Sequence, residues 1–125
     1  MKTISFTGTV ILMLVLVSSF TAINDSRVNK KILGEWEYSV PQAGYEYQKG
    51  VIVFSKEGKE LKGAVVIGNQ SIPMESVVNK KNNVKAKINV QGEGVSLDLN
   101  FEKNTFKGTV TYSEGSMEIS GNKKD

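Results

Sequence analysis

The stretch VSLDLNFE at residues 95–102 decides the fold of this chain. Apolar and polar residues alternate along it without a break, and the apolar ones are Val95, Leu97, Leu99 and Phe101. Successive side chains of a β-strand point to opposite faces, so the alternation predicts a strand with one apolar and one polar face. A helix would instead repeat its apolar residues about every three or four positions.

Seven further runs have a similar pattern, although the earlier ones are less regular: residues 34–40, 45–54, 61–67, 72–78, 84–91, 106–112 and 117–121. Compact connections rich in Gly, Asn or Pro separate the runs, as in Pro41-Gln42-Ala43-Gly44 and Gly92-Glu93-Gly94. Connections this short force neighbouring strands to pair antiparallel, because a parallel crossover needs about a dozen residues or more.

An open meander of these strands would leave two long edges and a wide apolar face in water. Pairing the last strand with the first removes both problems. We therefore predict an all-β fold, an eight-stranded antiparallel up-and-down (meander) barrel. A two-sheet β-sandwich fits the same pattern and is the alternative. In each run we assign the alternate positions that are mostly apolar to the inner face, which predicts an inner face without charged residues. In two irregular runs this assignment points Val51, Val53, Ser76 and Val78 inward.

Residues 1–22 are typical of a signal peptide. A positive Met1-Lys2 start precedes an uncharged, mostly apolar segment at 4–17, and small and polar residues follow. Cleavage after Ala22 is predicted, with cleavage after Ser19 as the competing choice. We expect an exported protein, periplasmic or secreted, without stable membrane insertion once the signal is removed. The alternative is a retained anchor, since the apolar segment is close to the shortest length that spans a bilayer.

The remaining chain divides into two parts. Residues 23–31 are polar and include good helix-capping residue types, so they predict a linker or a short helical turn. Residues 32–125 form the predicted barrel domain.

Gly34-Glu35-Trp36 opens the first predicted strand, directly after the predicted turn. This start resembles the Gly-X-Trp motif of the lipocalins and the wider calycin group. The resemblance covers nearly all of the mature chain and is closest to the short lipocalin-like domains of bacterial secreted proteins. It implies a barrel in which Trp36 closes one end under a basic side chain near the end of the last strand, where Lys123 and Lys124 are the candidates. The chain lacks the C-terminal helix and the cysteines of typical lipocalins.

The composition excludes much of catalytic chemistry. The chain contains no His and no Cys, which excludes Ser-His-Asp and Cys-His nucleophile systems and imidazole or thiolate metal sites. The carboxylate pairs Glu35/Glu37 and Asp98/Glu102 lie opposite the apolar residues of their strands, so they are predicted to face solvent. An exposed carboxyl group is a poor general acid at neutral pH. We predict no enzymatic activity, no cofactor and no metal.

Small inward residues can leave a cavity or mark bends at barrel corners, and if they leave a cavity, its lining predicts the ligand. Walls of aliphatic and aromatic side chains with few polar groups favour a small apolar or amphipathic ligand, such as a lipid, a sterol-like compound or an aromatic metabolite. The candidate ligand-binding residues, on the inner face and at the mouth, are Trp36, Tyr38, Tyr45, Tyr47, Met74, Ser76, Phe101 and Tyr112. Export would lower the net charge from +3 to +2 by removing Lys2, too little to favour nucleic acid.

A second hypothesis is a packed barrel without ligand. It would act through its surface on a protein or a glycan. The tyrosines at 38, 45 and 47 surround the first hairpin turn, and exposed aromatics beside a loop suit such contacts. A cap that seals the barrel end is the interpretation that we favour for this cluster.

Overall fold

Nine antiparallel strands follow one another along residues 28–124, the part of the chain that the computed structural model describes. The predicted signal peptide lies outside these residues. The strands are β1 (Gly34–Ser39), β2 (Lys49–Glu57), β3 (Glu60–Ile67), β4 (Gln70–Pro73), β5 (Ser76–Lys80), β6 (Asn83–Val90), β7 (Glu93–Glu102), β8 (Thr105–Tyr112) and β9 (Gly115–Lys123). Two short 3₁₀ turns precede β1 and β2, at Lys30–Ile32 and Tyr45–Tyr47.

All the described strands belong to one sheet, in the order β4-β3-β2-β1-β9-β8-β7-β6-β5. Strands that are consecutive in the chain are therefore neighbours in the sheet, except β4 and β5, and β1 also pairs with β9. The predicted all-β meander, in which the first strand joins the last, is confirmed, and the single sheet excludes the two-sheet sandwich. Only the consecutive strands β4 and β5 lie at the edges.

The prediction of one continuous fourth strand at residues 72–78 was wrong. The segment divides into β4 and β5 at Met74 and Glu75, which makes nine strands instead of eight. The Met74 N–H donates to the Gly63 carbonyl of β3 at 2.8 Å, and the next N–H, that of Glu75, donates to the Lys87 carbonyl of β6 at 2.7 Å. The chain thus passes from one edge of the sheet to the other within two residues. We name this junction the seam.

The division at the seam corrects the predicted facing of β5. Glu75 interrupts the alternation, so Val77 packs against the core while Val78 is 51% exposed. Ser76, predicted to point inward, is exposed as well. Pro73 ends β4 at this point and has no N–H to continue the ladder.

The predicted facing of β2 was also wrong. Ile52 and Phe54 are buried, whereas Val51 and Val53 are only partly buried. The register explains why Ile52, and not Val51 or Val53, points inward. Ile52 lies directly opposite the fully buried Trp36, and residues opposite each other share a face of the sheet. The local sequence is apolar at every position from Val51 to Phe54, so its pattern does not distinguish the two faces.

One end of the barrel is closed by an aromatic cluster. The Trp36 ring lies edge-on to Phe101 and Phe106, with centroids at 4.8 and 5.9 Å, and Phe101 contacts Phe54 at 6.0 Å. The Trp36 indole N–H donates to the Ile32 carbonyl at 2.8 Å, so the buried polar atom is satisfied. Lys123 places its Nζ 5.5 Å from the Trp36 ring centroid.

Candidate ligand cavity

An apolar cavity of about 280 Å³ occupies the other end of the barrel. β1 runs from Trp36 at the closed end to Tyr38 at the cavity, and Val40, directly after the strand, also lines the cavity. Aliphatic side chains form most of the wall: Val40, Ile52, Val65, Ile67, Ile88, Val90, Val95, Leu97, Val110, Met117 and Ile119. None of the four rings of the aromatic cluster lines it. The barrel interior is therefore packed at one end and open for a guest at the other.

The loop between β1 and β2, residues 40–48, forms one side of the cavity mouth. The Val40 N–H donates to the Gln48 carbonyl at 2.7 Å, and the Gln48 side-chain amide donates to the Ala43 carbonyl at 3.2 Å. The Glu118 N–H of β9 donates to Gln42 Oε1 at 3.3 Å, which ties the loop to the last strand. The loop is thus held over the mouth by hydrogen bonds at its base and at its tip.

Tyr38 brings one hydroxyl to the cavity wall. Its side chain is buried, and its O–H donates to the Tyr47 carbonyl at 3.5 Å. Burial raises the pKa of Tyr38 to about 12, so the phenol stays neutral at physiological pH. Gly50 lies opposite Tyr38 on β2, and a Cβ there would stand 2.7 Å from the tyrosine ring. The absence of a side chain at Gly50 makes room for the phenol.

Glu93 places a carboxylate at the cavity lining, as the first residue of β7, directly after the turn from β6. The backbone N–H of Ser113 donates to Glu93 Oε2 at 3.1 Å, and the Ser113 hydroxyl donates to the same oxygen. The hydroxyl bond, followed by the backbone bond, lowers the pKa of Glu93 below its ordinary value. Glu93 therefore carries its negative charge at neutral pH and connects the start of β7 with the turn between β8 and β9.

The structure brings together part of the predicted site. Tyr38, Tyr47 and Tyr112 all line the cavity. Trp36 and Phe101 belong to the aromatic cluster at the closed end. These two rings are packed against each other and have no part in the cavity wall.

The remaining predicted residues lie elsewhere. Tyr45 is 91% exposed and lies outside the cavity lining. Met74 and Ser76 line a separate surface groove of about 460 Å³ at the seam. The sulfur of Met74 occupies the space beside Gly63, so the missing side chain at Gly63 does not create a cavity.

Sequence reasoning missed two polar residues of the mouth, Gln42 and Glu93. Both occur in segments that the sequence marks only as turns, and turn residues have no inward or outward parity. The glycines on both sides of Glu93 predict a reversal of the chain and give no information about where the carboxylate points.

The carboxylates that could suggest catalysis are held on the outside. Glu35 and Glu37 are exposed, and Glu35 lies 3.7 Å from the Lys124 ammonium. Asp98 accepts a hydrogen bond from the Asn83 side chain at 2.8 Å. Within residues 28–124, no group of three or more acidic side chains is close enough to hold a metal ion. No helix in the same part of the chain is long and apolar enough to cross a membrane.

Comparisons with known proteins bear on the fold alone. The chain matches no model of a known protein family, and no curated protein matches it. Among solved structures it is similar to a redesigned β-barrel, with 17% sequence identity and a TM-score of 0.53. The match covers 77% of this chain and 93% of the designed chain. A likeness at this identity shows a shared barrel fold, and function has to be argued from the site.

Proposed function

We propose that this chain is an exported, lipocalin-like protein that binds one small apolar or amphipathic molecule. The observation that carries the proposal is the cavity of about 280 Å³ inside the barrel, walled mainly by aliphatic side chains. A packed core leaves few spaces larger than a water molecule, so an apolar recess of this size that reaches into the barrel interior is a candidate binding site. Apolar walls with a few polar groups at the mouth are typical of small-molecule sites.

The volume limits the size of the ligand. A cavity of roughly 150 Å³ holds benzene, and sites for drug-sized ligands begin near about 300 Å³. The cavity therefore suits a molecule with one ring and a short chain better than a long-chain lipid or a sterol. Of the ligand classes expected from the sequence, an aromatic metabolite fits best.

The lipocalin-like part of the proposal is supported at the closed end of the barrel. Trp36 follows a 3₁₀ turn and is covered by the basic side chain of Lys123, which lies opposite it on the last strand. This is the arrangement that the Gly-X-Trp resemblance implies. We propose a binding role without catalysis, cofactor or metal.

Ligand uptake by the purified protein tests the proposal. Phenylbutanol, a neutral molecule with one ring, is titrated into ¹⁵N-labelled protein, and amide chemical shifts are followed. Val95→Phe should weaken binding about tenfold or more, because the added ring fills the cavity that Val95 lines. Val78→Phe is the matched control, since Val78 is exposed and lies away from the cavity. Folded protein that takes up neither phenylbutanol nor other neutral ring compounds would overturn the proposal.

Native mass spectrometry of protein purified from its own host complements the titration. We expect a co-purified molecule of low mass that Val95→Phe loses and Val78→Phe keeps. The same measurement tests export. The intact mass should equal that of a chain that begins at Ile23, or at Phe20 for the alternative cleavage. Recovery of the chain with residues 1–22 still attached, in the membrane fraction, would contradict signal cleavage and support the retained anchor.

The second candidate function is a surface module for a protein or glycan partner. The fully exposed ring of Tyr45, beside the cavity mouth, favours it. Tyr45→Ala should abolish partner binding and leave uptake of phenylbutanol unchanged. The two candidate functions are thus separated by one substitution.

A further inference from the structure

The charge at the cavity mouth determines whether a ligand with a positive, neutral or negative polar end binds best. Among the described residues that line the cavity, Glu93 alone carries a charge, and neither Lys nor Arg is present. An anionic ligand would therefore approach a negative group and find no cation to pair with. A cationic end would meet a carboxylate at the point where the ligand leaves the apolar walls.

Glu93 is held in place for such a contact. Both hydrogen bonds from Ser113 go to Oε2, so Oε1 takes neither of them. Ser113 lies in the turn between β8 and β9, twenty residues further along the chain. The carboxylate therefore has less freedom to turn away from the mouth than a side chain that extends alone from a hairpin. A group fixed before binding loses less conformational entropy when the ligand arrives.

Tyr38 favours the same kind of ligand. Its hydroxyl lies 3.5 Å from the Tyr47 carbonyl, a long hydrogen bond, and the lone pairs of the phenolic oxygen can accept from a guest. The hydroxyl and the carboxylate thus both present acceptors. A ligand that brings N–H donors can use either one.

We propose, on the basis of the proposed binding function, that the cavity selects amphipathic molecules with an amine or ammonium end and discriminates against carboxylates. Glu93 receives the cationic end at the mouth, and the apolar part occupies the barrel. Fatty acids and other organic anions are then poor ligands for this site, although their tails are apolar. Small aromatic or aliphatic amines are the ligand class.

The expected preference is modest because Glu93 is exposed to water. An exposed ion pair changes an affinity by up to about fivefold, and repulsion of an anion acts by a similar factor in the opposite direction. Together they give an amine-to-carboxylate ratio on the order of tenfold at low ionic strength. The ratio should fall as salt is added, because exposed charges are screened.

Three probes of one shape test the inference: phenylbutylamine, phenylbutanol and phenylbutyrate. Their dissociation constants are measured at neutral pH with the purified exported protein. We expect the amine to bind most tightly, the alcohol next and the carboxylate least. Glu93→Gln, which keeps an acceptor for Ser113, should bring the three affinities within about twofold of one another. Glu114→Gln is the control, because Glu114 lies in the same rim turn as Ser113 but outside the cavity lining.

Failure of this inference differs from failure of the binding function. Equal affinity for the amine and the carboxylate, or a ratio that Glu93→Gln leaves unchanged, overturns the selectivity while uptake of phenylbutanol still supports a binding cavity. If Glu114→Gln reduces the amine-to-carboxylate affinity ratio as much as Glu93→Gln does, the preference comes from the summed negative charge of the rim. That result also overturns the specific role of Glu93. Absence of binding by all three probes overturns both proposals.

Discussion

The ammonium of Lys123 lies 5.5 Å from the centroid of the Trp36 ring, and the two residues are direct partners in the ladder between β9 and β1. The same ammonium donates to the Lys31 carbonyl in the 3₁₀ turn at 3.3 Å. The contact therefore connects the last strand, the first strand and the segment before it. It holds the first and last segments of the described chain together at the closed end of the barrel.

Replacing Lys123 should destabilise this junction. Lys123→Met keeps the aliphatic stem and removes the charge, so it loses the cation–π contact and the bond to Lys31 at a cost of about 1 kcal/mol. Urea denaturation measures the difference in the free energy of unfolding. Lys124→Met is the control and should cost less than about 0.5 kcal/mol, because its pair with Glu35 is exposed. Equal losses from the two variants would contradict a specific role for Lys123.

A charge placed at the centre of the β7 inner face should unfold the protein. Leu99 is completely buried, and Leu99→Asp would bring a carboxylate into surroundings where the described core has no charged or polar residue. We expect a loss of several kcal/mol and a collapsed near-UV circular dichroism signal. Lys87→Asp, on the exposed face of β6, should change stability by less than about 0.5 kcal/mol. Similar effects of the two substitutions would contradict the facing of both strands.

Gly121 of β9 permits the aromatic cluster to form. A Cβ at this position would collide with the Phe106 ring and stand 2.7 Å from the Glu37 carbonyl. Gly121→Ala should therefore cost about 1–3 kcal/mol through displaced neighbours. Gly94→Ala is the matched control, because a Cβ there meets nothing within 4 Å. Thermal unfolding of the two variants tests this, and an unchanged midpoint for Gly121→Ala would show that the cluster can move aside.

The sequence predicts this fold most reliably where its alternation is strict. Residues 95–102 assign Leu97, Leu99 and Phe101 to the core, and all three are buried. Between Val51 and Phe54 every residue is apolar, so only the pairing with Trp36 decides which ones point inward. At the seam the facing depends on a hydrogen bond from Glu75 to a strand that follows later in the chain. Such long-range pairing leaves no trace in the local pattern.

The candidate site was predicted in part for the same reason. Tyr38 and Tyr112 follow the apolar parity of their strands, and the structure places both at the cavity. Glu93 reaches the mouth as the first residue of β7, and its hydrogen bonds to Ser113 join two hairpins that are adjacent only after the strands have paired. Tyr45, in contrast, belongs to a 3₁₀ turn instead of the strand predicted there, and its ring points outward.

Tyr38 should make the stability of the protein depend on alkaline pH. Burial raises its pKa from 10.0 to about 12, so the folded protein keeps the phenolic proton to a higher pH than the unfolded chain does. The stabilisation that this group contributes is fully present below pH 10.0 and is lost as the pH rises toward about 12, because the unfolded state then releases the proton first. Urea denaturation across this window should show a steeper loss for the wild type than for Tyr38→Phe, which has no proton to release. Tyr45→Phe should retain the wild-type slope, since the Tyr45 ring is exposed. Parallel curves for the wild type and Tyr38→Phe would show that the phenol at the cavity wall ionises as freely as one in water.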